Sequence, residues 1–381
     1  MKVLHVFRDD KFFDLVAPSF DLVKGIENLY IFYTPDSSYK FKYIRSHQKI
    51  RITTDEKEYI KLFSSNEFEA FFFHSLPDKF YRYVLKTDPK KIIIWWSWGY
   101  DLYYTGLVNI ELYKPFTLDV HNKSTASKTV NSNKNIKSLI SNVRKDISSL
   151  KKNLIQRKVL SRINYCVTVL PLEFELLARN RYFVAERFME RGVFRDLDMG
   201  NFANNPPSKG NILLGNSATY ENNHLDVVHA LNKVFIDDDR KIIVPLNYGV
   251  NKYAEQIKQS LNSQYIHLDT FLKFEEYEKI IDLCSHAIFG TLRQQALGNI
   301  NLCMFKGIKV FLYKDSLTYT QLKDDGYIVY SIEEDLNEKE LSEPLSMEQM
   351  KHNHKILEQI YSKNGINALQ KAFDKIKTNL P

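Results

Sequence analysis

Asn211-Ile212-Leu213-Leu214-Gly215-Asn216-Ser217-Ala218-Thr219 is an apolar run that breaks into Gly and small polar residues, and a helical pattern follows it. The stretch reads as strand, loop, helix. A helix that starts at such a loop presents unsatisfied N–H groups and the positive end of its dipole to a phosphate. Gly215 permits close approach of the backbone, and Asn216, Ser217 and Thr219 supply short hydrogen-bonding side chains. The plainer reading is a capped strand-to-helix turn, because Ser and Thr are favoured N-caps in any helix. The spacing is neither G-x-G-x-x-G nor a Walker loop, which sets aside NAD and P-loop ATP chemistry.

The same alternation continues on both sides of this stretch. Downstream, apolar runs at Lys241-Pro245, Tyr265-Leu268, His286-Gly290 and Lys309-Tyr313 alternate with helical patterns at Asn222-Phe235, Lys252-Leu261, Glu275-Cys284 and Gln294-Phe305. Upstream, Lys2-Phe7, Leu29-Thr34, Glu69-His74, Ile92-Trp96 and Tyr165-Leu170 read as strands, with helical patterns such as Ala17-Gly25 and Glu56-Leu62 between them. Alternating strands and helices predict βαβ units and a parallel sheet. The series starts afresh after Asn205-Pro206-Pro207-Ser208-Lys209-Gly210, a turn-rich linker candidate. The expectation is an α/β protein of two Rossmann-like domains, 1–205 and 206–381. Helical patterns at Met347-Tyr361 and Asn364-Ile376 end the chain and are candidates to cross back to the first domain.

A second polar loop, Arg293-Gln294-Gln295-Ala296-Leu297-Gly298-Asn299, also follows an apolar strand and opens a helix. Arg293 can grip a diphosphate in a forked geometry. Gln294 and Gln295 can donate and accept toward phosphate or sugar hydroxyls. Two such loops in one parallel sheet share the carboxyl edge, where α/β folds bind ligands. In the first half, three strands end in polar residues by the same rule: Arg8-Asp9-Asp10, His74-Ser75 and Ser97-Trp98-Gly99-Tyr100-Asp101. These ends are expected to face a central cleft. Asp101, beside large aromatics, is a candidate general base whose basicity desolvation would raise, with His74 and Asp10 as competitors.

The bulk numbers agree with this outline. At 381 residues the chain suits two domains. Its composition, 44% hydrophobic and 26% charged, is that of a folded globule. Cys166, Cys284 and Cys303 form no C-x-x-C pair, which favours a reducing, cytoplasmic setting. No run of about 18 apolar residues predicts a membrane-spanning helix. The net charge of +7 is concentrated: His121 to Arg162 holds eleven Lys and Arg against one acid, Asp146. A basic band on a near-neutral body suggests one anionic surface, such as a membrane leaflet, and no aromatic-interleaved nucleic-acid motif accompanies it. Asp196-Leu197-Asp198 has the spacing of a metal–nucleotide motif but follows no strand and reads as a solvated turn. No metal site and no bound cofactor are expected.

Phe71-Phe72-Phe73-His74, Trp98-Gly99-Tyr100-Asp101-Leu102-Tyr103, Leu213-Leu214-Gly215-Asn216-Ser217 with Asn222 and His224, Val244-Pro245 with Tyr248, and Arg293-Gln294-Gln295 with Gly298 occur in that order over most of the chain. In these motifs the chain resembles the bacterial TDP-N-acetylfucosamine:lipid II N-acetylfucosaminyltransferases, the 4-acetamido-4,6-dideoxygalactose transferases of enterobacterial common antigen assembly. The resemblance implies a GT-B fold, a TDP- or UDP-sugar donor and a polyprenyl-diphosphate-linked glycan acceptor. It also implies a peripheral protein on the inner face of the bacterial inner membrane, acting in capsule, O-antigen or related polysaccharide assembly. On it, Gly215, Asn216, Ser217, Thr219, His224, Tyr248, Arg293, Gln294, Gln295 and Gly298 hold the donor. The basic segment from about 117 to 152 is longer than the family pattern. A sugar-nucleotide epimerase of the same fold and a non-catalytic nucleotide-sugar or membrane-binding scaffold are the alternatives.

Overall fold

The computed structural model of the chain describes residues 1–10, 12–126, 150–192, 203–207, 210–361 and 365–378. It divides into two compact units, Met1–Asn109 with Asn133–Leu197 and Lys363–Pro381, and Ile110–Ser132 with Asp198–Ser362. The acidic turn at 196–198 and the middle of the basic segment, 127–149, lie outside the described residues.

The first unit is built on β1 (Lys2–Val6), β2 (Glu27–Tyr33), β3 (Ile50–Thr53), β4 (Ala70–His74), β5 (Ile92–Trp96), β6 (Tyr165–Val167) and β7 (Glu186–Arg187). Their order in the sheet is β3-β2-β1-β4-β5-β6-β7, and each pair of neighbours is parallel. β4 is buried at every position and β5 at all but its first, as strands covered on both faces must be. The helices of this unit are α1 (Phe13–Asp21), α2 (Glu56–Leu62), α3 (Tyr81–Lys86) and the one-turn α4 (Tyr100–Tyr103).

Two further helices have consequences for the division of the chain. α5 (Pro115–Ala126) belongs to the second unit, although the expected boundary placed all of 1–205 in the first. The reason is a long-range cap. The N–H groups of Phe116 and Thr117, in the first turn of α5, both donate to the Asp226 carboxylate at 2.9 Å. Tyr113 and Val120 pack on the core of that unit. Residues 150–160, called α6, return to the first unit, and α7 (Pro171–Ala178) follows.

The second unit carries β8 (Asn211–Leu214), β9 (Ile242–Pro245), β10 (Tyr265–Leu268), β11 (Cys284–Phe289), β12 (Lys309–Leu312) and β13 (Tyr330–Ser331), again all parallel, in the order β10-β9-β8-β11-β12-β13. Its helices are α8 (His224–Leu231), α9 (Asn251–Gln259), α10 (Phe274–Ile281), α11 (Leu297–Phe305), α12 (Leu317–Asp324), α13 (Glu338–Ser342) and α14 (Met347–Tyr361). In both sheets the strand order reverses beside the first strand, between β1 and β4 and between β8 and β11. Loops leaving adjacent strands there turn to opposite faces and open a crevice at the carboxyl edge.

The last helix, α15 (Gly365–Thr378), is part of the first unit. Leu369, Ala372, Phe373 and Ile376 recur at helical spacing and join a core that contains Val16, Phe20, Phe72 and Trp96. The Phe373 ring lies 5.3 Å from Phe188 and 6.1 Å from Phe20, centroid to centroid. Phe373→Ala is therefore expected to destabilise the first unit by about 3–5 kcal/mol. Denaturant unfolding followed by tryptophan emission checks this, since Trp95, Trp96 and Trp98 all lie in that unit.

Candidate functional site

In the second unit β8 and β11 are adjacent, with Leu214 level with Ile288, so the two sequence-predicted loops leave the sheet side by side. Gly215 has a φ of 67°. Its N–H donates to the Ile288 carbonyl at 2.8 Å, and a Cβ built there would stand 2.5 Å from His224 Nε2. Both the backbone conformation and the close approach require glycine.

Asn222 organises the loop. Its side-chain N–H group donates to the Ser217 carbonyl, Ser217 Oγ and Thr219 Oγ1 at 3.0, 3.1 and 2.9 Å. Gln295 Nε2 donates to the same Thr219 oxygen at 3.0 Å, tying the β11 loop to the β8 loop. Asn223, left-handed with φ 49°, donates to the Gly290 carbonyl at 2.7 Å and makes the second tie. Asn216 Nδ2 reaches Tyr248 Oη at 3.1 Å.

Several buried polar atoms around this network find no hydrogen-bond partner among the described residues: Asn216 Oδ1, Asn222 Oδ1, Thr291 Oγ1, Gln295 Oε1 and both ring nitrogens of His224. Orphans of this kind are uncommon in folded proteins and mark places where a ligand or water is bound. His224 is fully buried, and that burial lowers its pKa to about 3, so the imidazole is neutral, with one donor and one acceptor to offer.

Arg293 lies on the β11 loop, where its guanidinium donates to the Gln294 carbonyl at 2.8 Å. Ala296 follows in the left-handed region, φ 60°, a conformation that costs a non-glycine residue energy and concentrates at functional sites. It starts α11, whose first turn holds Gly298 with open space where a side chain would be. Gly298 itself is exposed, so no side chain covers the start of α11 at that position. Ser217 is 1% exposed and its hydroxyl oxygen accepts from Asn222, so it also braces the loop.

Tyr113 and His121 carry no local sequence signal. Their rings stack at 4.5 Å, and His121 meets the edge of Tyr220 at 4.9 Å. Burial raises the Tyr113 phenol, and the charge of Arg293 opposes that rise. The signal was long-range: Asp226 at the start of α5 and Asn223 at Leu112 and Lys114 bring this segment here.

In the first unit the three acid/base candidates separate. Asp101 is 1% exposed and fully committed: Oδ2 accepts from Leu76 N and Trp95 Nε1 at 2.7 and 2.8 Å, and Oδ1 from Trp98 N and Ser97 Oγ at 3.0 and 3.2 Å. Burial raises its pKa, which these hydrogen bonds oppose. The carboxylate stitches the ends of β4 and β5 together and offers no face to a substrate. His74 is also buried. His5 Nε2 sits 2.9 Å from Asn28 Oδ1, so it must donate there. His5 Nδ1 is then an acceptor, and His74 Nε2 donates to it at 2.8 Å. Burial and the neighbouring His5 hold His74 well below the usual imidazole range.

Asp10 differs from both. It is part-exposed, and burial pushes its pKa up to about 6 against the N–H groups of Phe12 and Phe13 and the charge of Arg8. Nearby, Ser75 is held left-handed at φ 81° and receives the Tyr100 hydroxyl. Trp98 is stacked between Phe12 and Trp96, with centroids 4.5 and 5.0 Å away.

The comparisons with known proteins agree with this geometry. Residues 196–375 match the model of a family described as 4-alpha-L-fucosyltransferase, glycosyl transferase group 56. HepE from Anabaena, solved with UDP and glucose, is similar over all of both chains at 9% identity, with a TM-score of 0.60. The lipopolysaccharide outer core galactosyltransferase WaaB is similar over 99% of this chain and all of its own at 10% identity, TM-score 0.60. An α-glucosyltransferase in complex with UDP and a 13-mer DNA is similar over 99% of each chain at 10% identity, TM-score 0.57. The fold is GT-B, with two parallel-sheet Rossmann-like units. Fold and family match together support a glycosyltransferase.

Gly215→Ala is expected to weaken nucleotide-diphosphate binding by more than about tenfold, because the methyl group meets His224 and the backbone is strained for any side chain. Isothermal titration with UDP and TDP checks this.

Proposed function

We propose that the chain transfers a deoxyhexose-type sugar, of the acetamido-dideoxyhexose class, from a TDP- or UDP-linked donor to a lipid-linked oligosaccharide in bacterial surface polysaccharide assembly. One observation carries the donor half of this reading: the cluster of buried polar atoms without a protein partner where the β8 and β11 loops are tied together. The description of the matching family as a fucosyltransferase supports a deoxyhexose.

In this reading the diphosphate lies at the start of α11, where N–H groups and Arg293 offset its charge. Asn216, Tyr248, Gln294 and Gln295 orient the nucleotide sugar, and neutral His224 supplies a hydrogen bond from below Gly215. The bond from the sugar's anomeric carbon to the diphosphate oxygen breaks, and its electron pair leaves with the diphosphate. The acceptor oxygen bonds to that carbon, and its proton passes to a base. Asp10 takes that role, because it alone of the three candidates is part-exposed with a pKa suited to accepting a proton near neutrality. Asp101 and His74 hold the strand ends in place.

The reading includes docking on an anionic leaflet from the cytoplasmic side. In α6, Leu150, Leu154 and Ile155 are exposed among Lys151, Arg157 and Lys158, the composition of a surface that lies on lipid. Among the described residues no helix is long and apolar enough to cross a membrane.

Arg293→Ala is expected to lower affinity for UDP or TDP by about tenfold or more while leaving the melting temperature of the free protein nearly unchanged. If a thermal-shift panel of nucleotide sugars stabilises neither protein, the donor assignment fails. For Asp10 the sign follows from its role: a base works deprotonated, so kcat/KM should fall as pH drops through about 6. Asp10→Asn should abolish turnover while retaining donor binding. A wild-type profile flat from pH 5 to 8 would exclude Asp10.

A further inference from the structure

Ser75 stands just after β4 at φ 81°, with no exposure to solvent. A residue with a side chain keeps such a conformation only where its surroundings over-determine it, and positions of this kind concentrate at functional sites. Two bonds hold Ser75. Its N–H donates to the Trp96 carbonyl at 2.8 Å, and its hydroxyl oxygen receives the Tyr100 hydroxyl. Glycine would adopt the same backbone without strain but would offer no oxygen to Tyr100.

Tyr100 is fixed from its other side as well. Gly99, at φ 88°, turns the chain into α4, and just before it Asp101 accepts from Trp98 N and Ser97 Oγ. The Arg8 guanidinium lies 5.3 Å from the centre of the Tyr100 ring, and Arg8 forms no ion pair with any described residue. Asp10 follows two residues later, with Oδ1 accepting from Phe12 N at 2.9 Å. The charge of Arg8 opposes the rise that burial imposes on the Asp10 carboxyl, and Asp10 acts in turn on the Tyr100 phenol. The other charged and titratable groups nearby are committed elsewhere. Asp9, whose charge raises Asp10, accepts from Tyr39 Oη and from the N–H groups of Lys42, Tyr43 and Ile44. Asp14 on α1 accepts from Arg45 N and Ser46 N. His74 is buried and neutral, 6.4 Å from the Phe13 ring. Lys79, on the turn after β4, is repelled by Arg8 and sits over the Phe80 ring.

We infer that Tyr100 is a positioning residue for Asp10: anchored on Ser75, its ring carries the Arg8 guanidinium, so that a cation acts on the carboxylate without bonding to it. The arrangement suits a base. A direct ion pair would occupy the oxygen that must accept the proton, whereas a cation held on an aromatic face leaves both oxygens open. The strained serine is kept because its hydroxyl fixes the ring. The inference rests on the reading of Asp10 as the base and adds the means by which its charge is controlled.

The Asp10 carboxyl is titrated by carbon-13 NMR in the full-length protein labelled at aspartate, with its resonance assigned through Asp10→Asn. Arg8→Met should raise the midpoint by about 0.5 pH unit or more, because a nearby cation favours the carboxylate form. Tyr100→Leu keeps Arg8 but removes its platform, and should raise the midpoint in the same direction. Tyr100→Phe keeps the ring and loses its anchor, so it should give a smaller rise, and Ser75→Gly should match it because each removes the same bond. Tryptophan-emission melts show which variants are folded. A wild-type midpoint in Arg8→Met, or in both tyrosine variants, would overturn the inference. Shifted midpoints beside a wild-type kcat/KM that is flat across the titration would uphold the positioning of Asp10 and count against its role as base alone.

Discussion

Asn223 holds three pieces of the second unit at one point. It sits in the left-handed region, and its amide donates to Gly290 O on the β11 loop. The same amide reaches Leu112 O at 3.2 Å, and its oxygen receives Lys114 N at 2.8 Å. Through these bonds the β8–α8 turn, the β11 loop and the segment leading into α5 share one side chain. Glycine at 290 is part of the same constraint, because a Cβ there would stand 2.4 Å from Asn222 O. The loops that form the candidate donor site are thus fixed by buried hydrogen bonds before any ligand arrives, and a prepositioned site loses less freedom on binding.

Satisfaction of buried polar groups separates residues that build the protein from residues free to do chemistry. At the amino edge of the second sheet, Arg240 donates to Gly210 O and Leu341 O, while Lys309 reaches the Glu340 and Glu343 carbonyls and the Glu340 carboxylate. His286 Nε2 faces the same carbonyls, and burial and the charge of Arg240 lower its pKa to about 4. Arg240 and Lys309 close the end of α13 and have no capacity left. Asp101 is the acidic counterpart in the first unit, with four donors on two oxygens. Charge alone would have ranked all of them as candidates. What distinguishes Asp10 is that its carboxylate stays part-exposed.

The strands were legible where an apolar run is bounded by polar or turn residues, whether the strand is central or at a sheet edge. Ile92–Trp96, Asn211–Leu214 and Tyr265–Leu268 have the bounds that the apolar runs predict. β3, β7 and β13 were not legible: they are two to four residues long, lie at or near sheet edges and carry no continuous apolar run. The helix expected from Gln294 begins only at Leu297, because Ala296 adopts a left-handed conformation that alanine does not advertise. The two donor loops could be read because a glycine or an arginine after an apolar strand is a local signal. The placement of α5 could not be read, because it depends on a carboxylate more than a hundred residues away.

Three carboxylic or imidazole groups stood at strand ends as candidate bases, Asp101 first among them, and the sequence argument for it was its aromatic surroundings. Those surroundings do desolvate it, but desolvation acts on access as well as on pKa. A group sealed under Trp95 and Leu76, with every lone pair engaged, gains basicity it cannot use. Asp10 is raised by the same physical cause, yet retains an exposed side because its loop leaves the sheet at the switch between β1 and β4. The reversal of strand order that creates a crevice for ligands also leaves the first strand's carboxylate partly buried and still reachable. In this fold a useful base is therefore expected on the loop after β1, and the tighter, better-bonded carboxylate after β5 supports the backbone around it.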